Sequence, residues 1–204
     1  AAFGDDAIDV IENDPERLAA IKGITLKKAR EIAEEMQRVN GIRDLMAFLG
    51  SFGVRPEDAV KVWKAYGADS IACIQEDPYR LCSEQIAVDF AVADKLAESL
   101  EYDRANAERV KAGVLYVLRH NLLNGHTCLP ADKLCAAAAQ MLGVPLEDAQ
   151  AALYALCRDF DAVCENFNGR DFIFLPKQHR SEVYSADRIR MMLRYPPEPI
   201  VGVD

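Results

Sequence analysis

Three groups of residues in this chain of 204 are of types that could do chemistry: six cysteines (73, 82, 128, 135, 157 and 164), three histidines (120, 126 and 179) and a lysine-rich run at 22–28. Nucleophilic catalysis needs a thiol or hydroxyl with a base in motif context, and a zinc site needs closely spaced ligand pairs. The sequence has no Cys-x-x-Cys and no His-Glu-x-x-His. The cysteines are therefore expected as buried thiols of a reducing, cytoplasmic compartment, and His120, His126 and His179 as surface or capping residues. No catalytic, cofactor-binding or metal-ligating residue is expected. A free-standing enzyme would require the cysteines to converge on a metal.

The lysine run supports a more specific reading. Lys22-Gly23-Ile24-Thr25-Leu26-Lys27-Lys28 reads as a tight turn entering a helix. The first N–H groups of a helix lack intrahelical acceptors and favour an anion, and flanking lysines attract phosphate without reading base sequence. Lys22, Gly23, Ile24, Thr25, Lys27 and Lys28 are thus the candidate contacts to a nucleic-acid backbone. Overall composition opposes this: 24 Lys plus Arg stand against 33 Asp plus Glu, a net charge of −9, the wrong sign for coating nucleic acid. The charge is partitioned, however. Residues 1–16 carry −6, 17–43 carry +4, 44–103 carry −7, and the remainder is neutral.

Positioning this turn requires helices, and internal repetition supplies them. FGDDAIDVIENDPERL (3–18) aligns without a gap on YGADSIACIQEDPYRL (66–81), with identities including Asp6/Asp69, Ile11/Ile74, Asp14/Asp77, Pro15/Pro78, Arg17/Arg80 and Leu18/Leu81, and Gly4/Gly67. Each copy reads as a short amphipathic helix, then Asp as cap and Pro at the first position of the next helix. A second pattern begins at Gly23, Gly53 and Ala87: small residue, aliphatic, four spacers, Ala, two spacers, aliphatic. It predicts a turn into a helix whose alanine, Ala29, Ala59 or Ala93, packs closely. Trp63 and Tyr66 share a helix face, as core aromatics or as a base-stacking pair.

This pattern resembles the helix-hairpin-helix motif, in which two such hairpins pair and backbone N–H groups hold a DNA phosphate. The ordered series, from FGDDAIDVIENDPERL through GIRDLMAFLGSFGV and VDFAVADKLAESL to GVLYVL and NGHTCLP, resembles the region ahead of the motor in RecD-like (RecD/TraA family) DNA helicases. The resemblance implies a parent that unwinds DNA 5′ to 3′ in repair or recombination, with ATP and Mg2+ used by a motor. No G-x-x-x-x-G-K-[ST] lies in this chain. The motor is expected after Pro196-Pro197-Glu198-Pro199 and Asp204, and the partner hairpin of residues 3–32 upstream of Ala1.

The second and third turns suit phosphate less well than the first. Arg55-Pro56-Glu57-Asp58 puts two acids in the first helical turn, and Asp89 puts a carboxylate where the anion would sit. Residues 104–176 read as a winged-helix-like module: a helix at 106–123, a strand at 126–129, a helix from 131 to Gly143, a helix at 146–159, and a hairpin about Phe167-Asn168-Gly169. The acids of 146–159 argue against groove insertion, and Arg170 is a lone basic residue at the wing tip. A closing helix at 181–194 carries Arg188, Arg190 and Arg194.

The fold class expected is mainly α, with tandem helix-hairpin-helix units followed by a winged-helix-like α+β module with a small β-hairpin. The expected domains are 1–43 (half a hairpin pair), 44–103 (a complete pair), 104–176 (the module) and 177–204 (a helix and Pro-rich linker). The function expected is non-catalytic: positioning DNA, bound weakly through phosphates, for the protein's own motor, with no membrane contact. The rival is an acidic scaffold that docks a repair protein or the motor and keeps its hairpins for packing.

Overall fold

The computed structural model describes residue 3 and residues 6–195. Gly4, the Pro196-Pro197-Glu198-Pro199 stretch and Asp204 lie outside the described residues. The chain divides into two compact units, with the break between Tyr102 and Asp103.

In the first unit, α1 (Ala7–Asn13) is followed by a 3-10 turn (Pro15–Ala20), α2 (Leu26–Gly50), α3 (Pro56–Tyr66), α4 (Ser70–Glu76), a second 3-10 turn (Pro78–Cys82) and α5 (Phe90–Ser99). The repeat seen in sequence is a repeat of backbone. Asp6 and Asp69 precede α1 and α4 with φ/ψ of −82/1 and −84/4, and Asp14 and Asp77 end them with φ −145 in both. The expected Asp cap forms in one copy only: Asp77 accepts from the Tyr79 N–H at 3.0 Å, while the Asp14 side chain makes no cap hydrogen bond. The pairing of Arg17 over the Phe3 ring at 5.5 Å recurs as Arg80 over Tyr66 at 6.0 Å.

The division expected at 43/44 falls inside α2, which runs unbroken for 25 residues and serves both the hairpin before it and the hairpin after it. Ala29, Ala59 and Ala93 are all buried, as the close-packing reading of the pattern requires. The α2–α3 crossing is closer still: a Cβ at Gly41 would stand 2.3 Å from the Trp63 ring. Trp63 is therefore a packing residue, seated where a side chain on α2 is missing.

In the second unit, α6 (Ala107–Leu123), β1 (Cys128–Pro130), α7 (Ala131–Leu142), α8 (Leu146–Arg158), β2 (Val163–Phe167), β3 (Arg170–Phe174) and α9 (Pro176–Arg194) follow the expected order. The antiparallel sheet has the order β1-β3-β2, with Leu129 opposite Ile173 and Cys164 opposite Ile173 on the other side. Asn168 (φ 52) and Gly169 (φ 80) make the two-residue turn between β2 and β3 that this dipeptide favours. Gly143 ends α7 at φ 68, ψ 34. Leu118, Leu134, Leu156 and Ile173 form the fully buried centre, and each such side chain contributes about 1.5–3 kcal/mol over its exposed state. The buried Arg109 donates to the carbonyls of Arg104 (3.0 Å) and Leu142 (3.2 Å), which satisfies the end of α7.

Four local expectations need correction. The closing helix begins at Pro176 rather than 181, because proline is favoured at a helix's first position and Leu175, in extended backbone, stands as its N-cap. The strand near 126 lies two residues later. Arg170 is not lone: it donates to Asp132 at 3.1 Å and lies over the Phe172 ring. Finally, Cys82 and Cys135 are buried, but Cys73, Cys128 and Cys157 are half-buried and Cys164, on the outer strand β2, is exposed.

Candidate nucleic-acid interface

Three turns of one geometry present helix N-termini in the first unit. Gly23, Gly53 and Ala87 have φ of +96, +86 and +60, and the helix begins three residues later in each case, at Leu26, Pro56 and Phe90. The aliphatic after each small residue turns inward, and its N–H is already used: Ile24 donates to Ile21 O at 3.1 Å, Val54 to Leu49 O at 3.3 Å and Val88 to Leu81 O at 3.0 Å. That residue is a plug for the joint, not a donor to a ligand. What distinguishes the three turns is the residues around the helix's first turn.

At the first turn, Thr25 is the N-cap of α2 in extended backbone (φ −82, ψ 159), and its Oγ1 accepts from the Lys28 N–H at 3.2 Å. This φ is open to any residue, so threonine in place of a second glycine costs no backbone strain. A Cβ at Gly23 would meet nothing within 4 Å, so the positive φ, not crowding, calls for glycine there. Ile21 and Ile24 pack on the cluster of Val10, Leu18 and Ala29, which holds the turn against α1. Lys22, Lys27 and Lys28 are exposed. Lys27 stands 3.8 Å from Glu31 with both side chains largely in solvent, a weak pairing. Lys22 and Lys28 have no carboxylate within ion-pair distance among the described residues. The structure thus brings all six sequence candidates into one turn, with Ile24 facing the core.

The second turn holds its own anion. The Asp58 side chain, 4% exposed, receives Arg55 Nε at 2.9 Å and Lys61 Nζ at 2.7 Å. Burial pushes the Asp58 carboxyl up, but the hydrogen bonds from Lys61 and Arg55, and their charges, outweigh it and hold the group below the usual carboxylate range. At the third turn, Asp89 Oδ1 accepts from the Ala91 N–H at 2.8 Å. Sequence reasoning had placed acids at these two turns but missed Lys61, which also donates to Ile86 O at 3.2 Å and so ties α3 to the third turn. The i, i+3 spacings Arg55/Asp58 and Asp58/Lys61 were the available signal.

These two tied turns fall in the stretch that relatives share. Residues 38–128 match the family model of the ATP-dependent RecD2 DNA helicase HHH domain. Over that segment, a little under half of its length, the chain is similar to the helix-hairpin-helix accessory region of RecD-like helicases. The ATP-dependent RecD2 DNA helicase of Deinococcus radiodurans is 27% identical over 212 residues, an alignment covering 99% of this chain. The chain spans 30% of the length of that relative. The second and third turns lie inside the segment that the family model matches, whereas the lysine-bearing first turn precedes it. No group of three or more His, Cys, Asp or Glu placed to hold a metal occurs among the described residues, and no described helix is long and apolar enough to cross a membrane.

Proposed function

We propose that this region positions DNA for a RecD-like motor through sequence-independent phosphate contacts at the first turn, made by Lys22, Lys27, Lys28 and the N–H groups of Gly23 and Thr25. The observation that carries the reading is the contrast among three turns of the same geometry: two have carboxylates at the helix N-terminus, and the first has lysines instead. An anion there gains from the start of α2 and from the lysine charges, a screened attraction that predicts weak, salt-sensitive binding. The parent would be an ATP-dependent helicase unwinding 5′ to 3′ in cytoplasmic DNA repair or recombination. ATP and Mg2+ would act in its motor, and the second unit would be a winged-helix-like bridge to that motor.

Titration of labelled single- and double-stranded oligonucleotides at low salt tests the reading. The expected result is weak binding whose log Kd rises with log salt at a slope of roughly 2–3, as about three neutralised phosphates require. The triple change of Lys22, Lys27 and Lys28 to Glu should abolish it. Absence of binding, or binding untouched by the triple change, would overturn the assignment.

A second reading has its own support in Asp58 and Asp89. Turns already supplied with carboxylates suit packing, or an acidic face that docks the motor or a repair protein. Retention of a separately expressed motor by a chain that fails to bind DNA would favour it.

A further inference from the structure

The two faces of the three-stranded sheet in the second unit differ. One, with Leu129 and Ile173, closes on the helical core, where Ile173 is fully buried. By strand alternation the other carries Phe174 with Val163, Phe172 with Glu165, and Arg170 with Phe167 across the β2–β3 register. The start of α9 covers the Phe174 end: the His179 ring meets Phe174 edge-on at 5.4 Å, and its Nε2 lies 2.9 Å from Glu165 Oε1. Toward the hairpin turn the face is open. Phe172 is half-buried, Arg170 is exposed and Phe167 is 51% exposed. These open rings are nonetheless fixed. Phe167 meets Phe172 (5.7 Å) and Phe174 (6.5 Å) edge-to-face, and the Arg170 guanidinium, held by Asp132, lies 5.9 Å from the Phe172 centroid.

We infer that the ledge of Phe167 and Phe172 is a stacking platform for the unpaired bases of single-stranded DNA, with Arg170 at its edge. Charge selects this occupant. The carboxylates beside the open rings are engaged: Asp132 by Arg170, Glu165 by His179, and Asp171 by the Asn166 side-chain amide at 2.6 Å. Glu182 lies by Cys128, which pairs with Phe174 at the covered end. The bordering cations are open by contrast. Lys133 in the first turn of α7, and Lys177 and Arg180 at the start of α9, are exposed and have no carboxylate within ion-pair distance among the described residues. Rings to stack on, beside cations able to take phosphate, are what single strands bind, and because every base offers a π face such a site reads no sequence. A duplex keeps its base faces on one another and gains nothing from the rings. A ring already fixed also loses little freedom when a base settles on it. That the strand is DNA rests on the function proposed above; the platform shares no residue with the first turn and does not need phosphate to bind there.

Amide shifts followed by NMR, while an oligothymidylate is added to the whole chain at concentrations beyond those of the labelled-strand titration, test it site by site. Resonances across 163–174 should shift and saturate, and Phe167→Ala should raise the Kd read from them roughly fivefold or more, while Phe167→Tyr, which keeps the ring, restores it. A duplex should leave these resonances in place. In the chain with Lys22, Lys27 and Lys28 changed to Glu, shifts at 22–28 should vanish and those of the hairpin persist, so that failure of the first turn and failure of the platform give different maps. Silence at 163–174, a Kd untouched by Phe167→Ala, or equal shifts with the duplex would overturn the proposal. Hairpin shifts that instead follow the chain's own concentration without DNA would give the face to a second copy, and also overturn it.

Discussion

The Lys61 ammonium stands 2.7 Å from Asp58 Oδ1 while donating to the carbonyl of Ile86, so one side chain closes the start of its own helix and clamps the turn before α5. Asp58→Asn leaves this cation and Arg55 without their carboxylate and should lower stability by about 1–2 kcal/mol at pH 7. The pH dependence has a definite sign. Because the folded carboxyl is held below its usual range, its contribution is complete above about pH 5 and is lost as pH falls through the folded value, below the ordinary 3.8. Denaturant titrations between pH 7 and pH 3 should show the wild type and Asp58→Asn converging on the acid side; a constant gap would contradict this.

Thr25 separates stability from binding. Thr25→Ala removes the acceptor for the Lys28 N–H and should cost about 1 kcal/mol by thermal unfolding. Thr25→Asp keeps a good cap and should preserve the melting temperature, yet it places a carboxylate at the proposed phosphate position and should weaken oligonucleotide binding severalfold. Equal affinity in the wild type and Thr25→Asp would argue that phosphate does not bind at this turn.

Gly41 has no room for a side chain. Gly41→Ala drives a methyl into the Trp63 ring, with the built Cβ at 2.3 Å, and should destabilise by about 1–3 kcal/mol despite alanine's better helix propensity. Pairing it with Trp63→Leu should recover part of the loss, which a double-mutant cycle would show as coupling.

Four non-glycine residues among those described occupy left-handed backbone in the open, Ala87 and Phe160 among them. Ala87 has φ +60 at the third turn, and Phe160 has φ +65 with 83% exposure just past α8. Left-handed backbone costs an L-residue about 1–2 kcal/mol, part of which glycine returns as chain entropy in the unfolded state. Ala87→Gly and Phe160→Gly should each stabilise by about 0.5 kcal/mol, read as higher denaturant midpoints with unchanged slopes.

Much of the architecture was legible because it is written in local signals. The Asn168-Gly169 turn, Gly143 as helix stop and the buried alanines at 29, 59 and 93 each follow from one residue's steric demand. Less legible were features that depend on distant partners. Arg170 looked lone because Asp132 is 38 residues away, and Lys61's bond to Ile86 joins residues 25 apart. The candidate lysines were visible as a charge island. Their contrast with the acid-bearing turns was legible too, whereas the part of Lys61, which joins Arg55 on the Asp58 carboxylate, was not.

The unbroken α2 has a metric consequence. At 1.5 Å per residue its 25 residues make a rod of about 37 Å, with the Gly23 turn at one end and the Gly53 turn at the other. That length is close to one helical repeat of duplex DNA, roughly 34–36 Å. A backbone gripped at the first turn therefore leaves the second turn about a full repeat away. If DNA is bound at the first turn as proposed, anything seated on the far end of the rod would be held at a set distance from it, and inserting or deleting a turn of α2 would change that spacing by about 5 Å without altering either end.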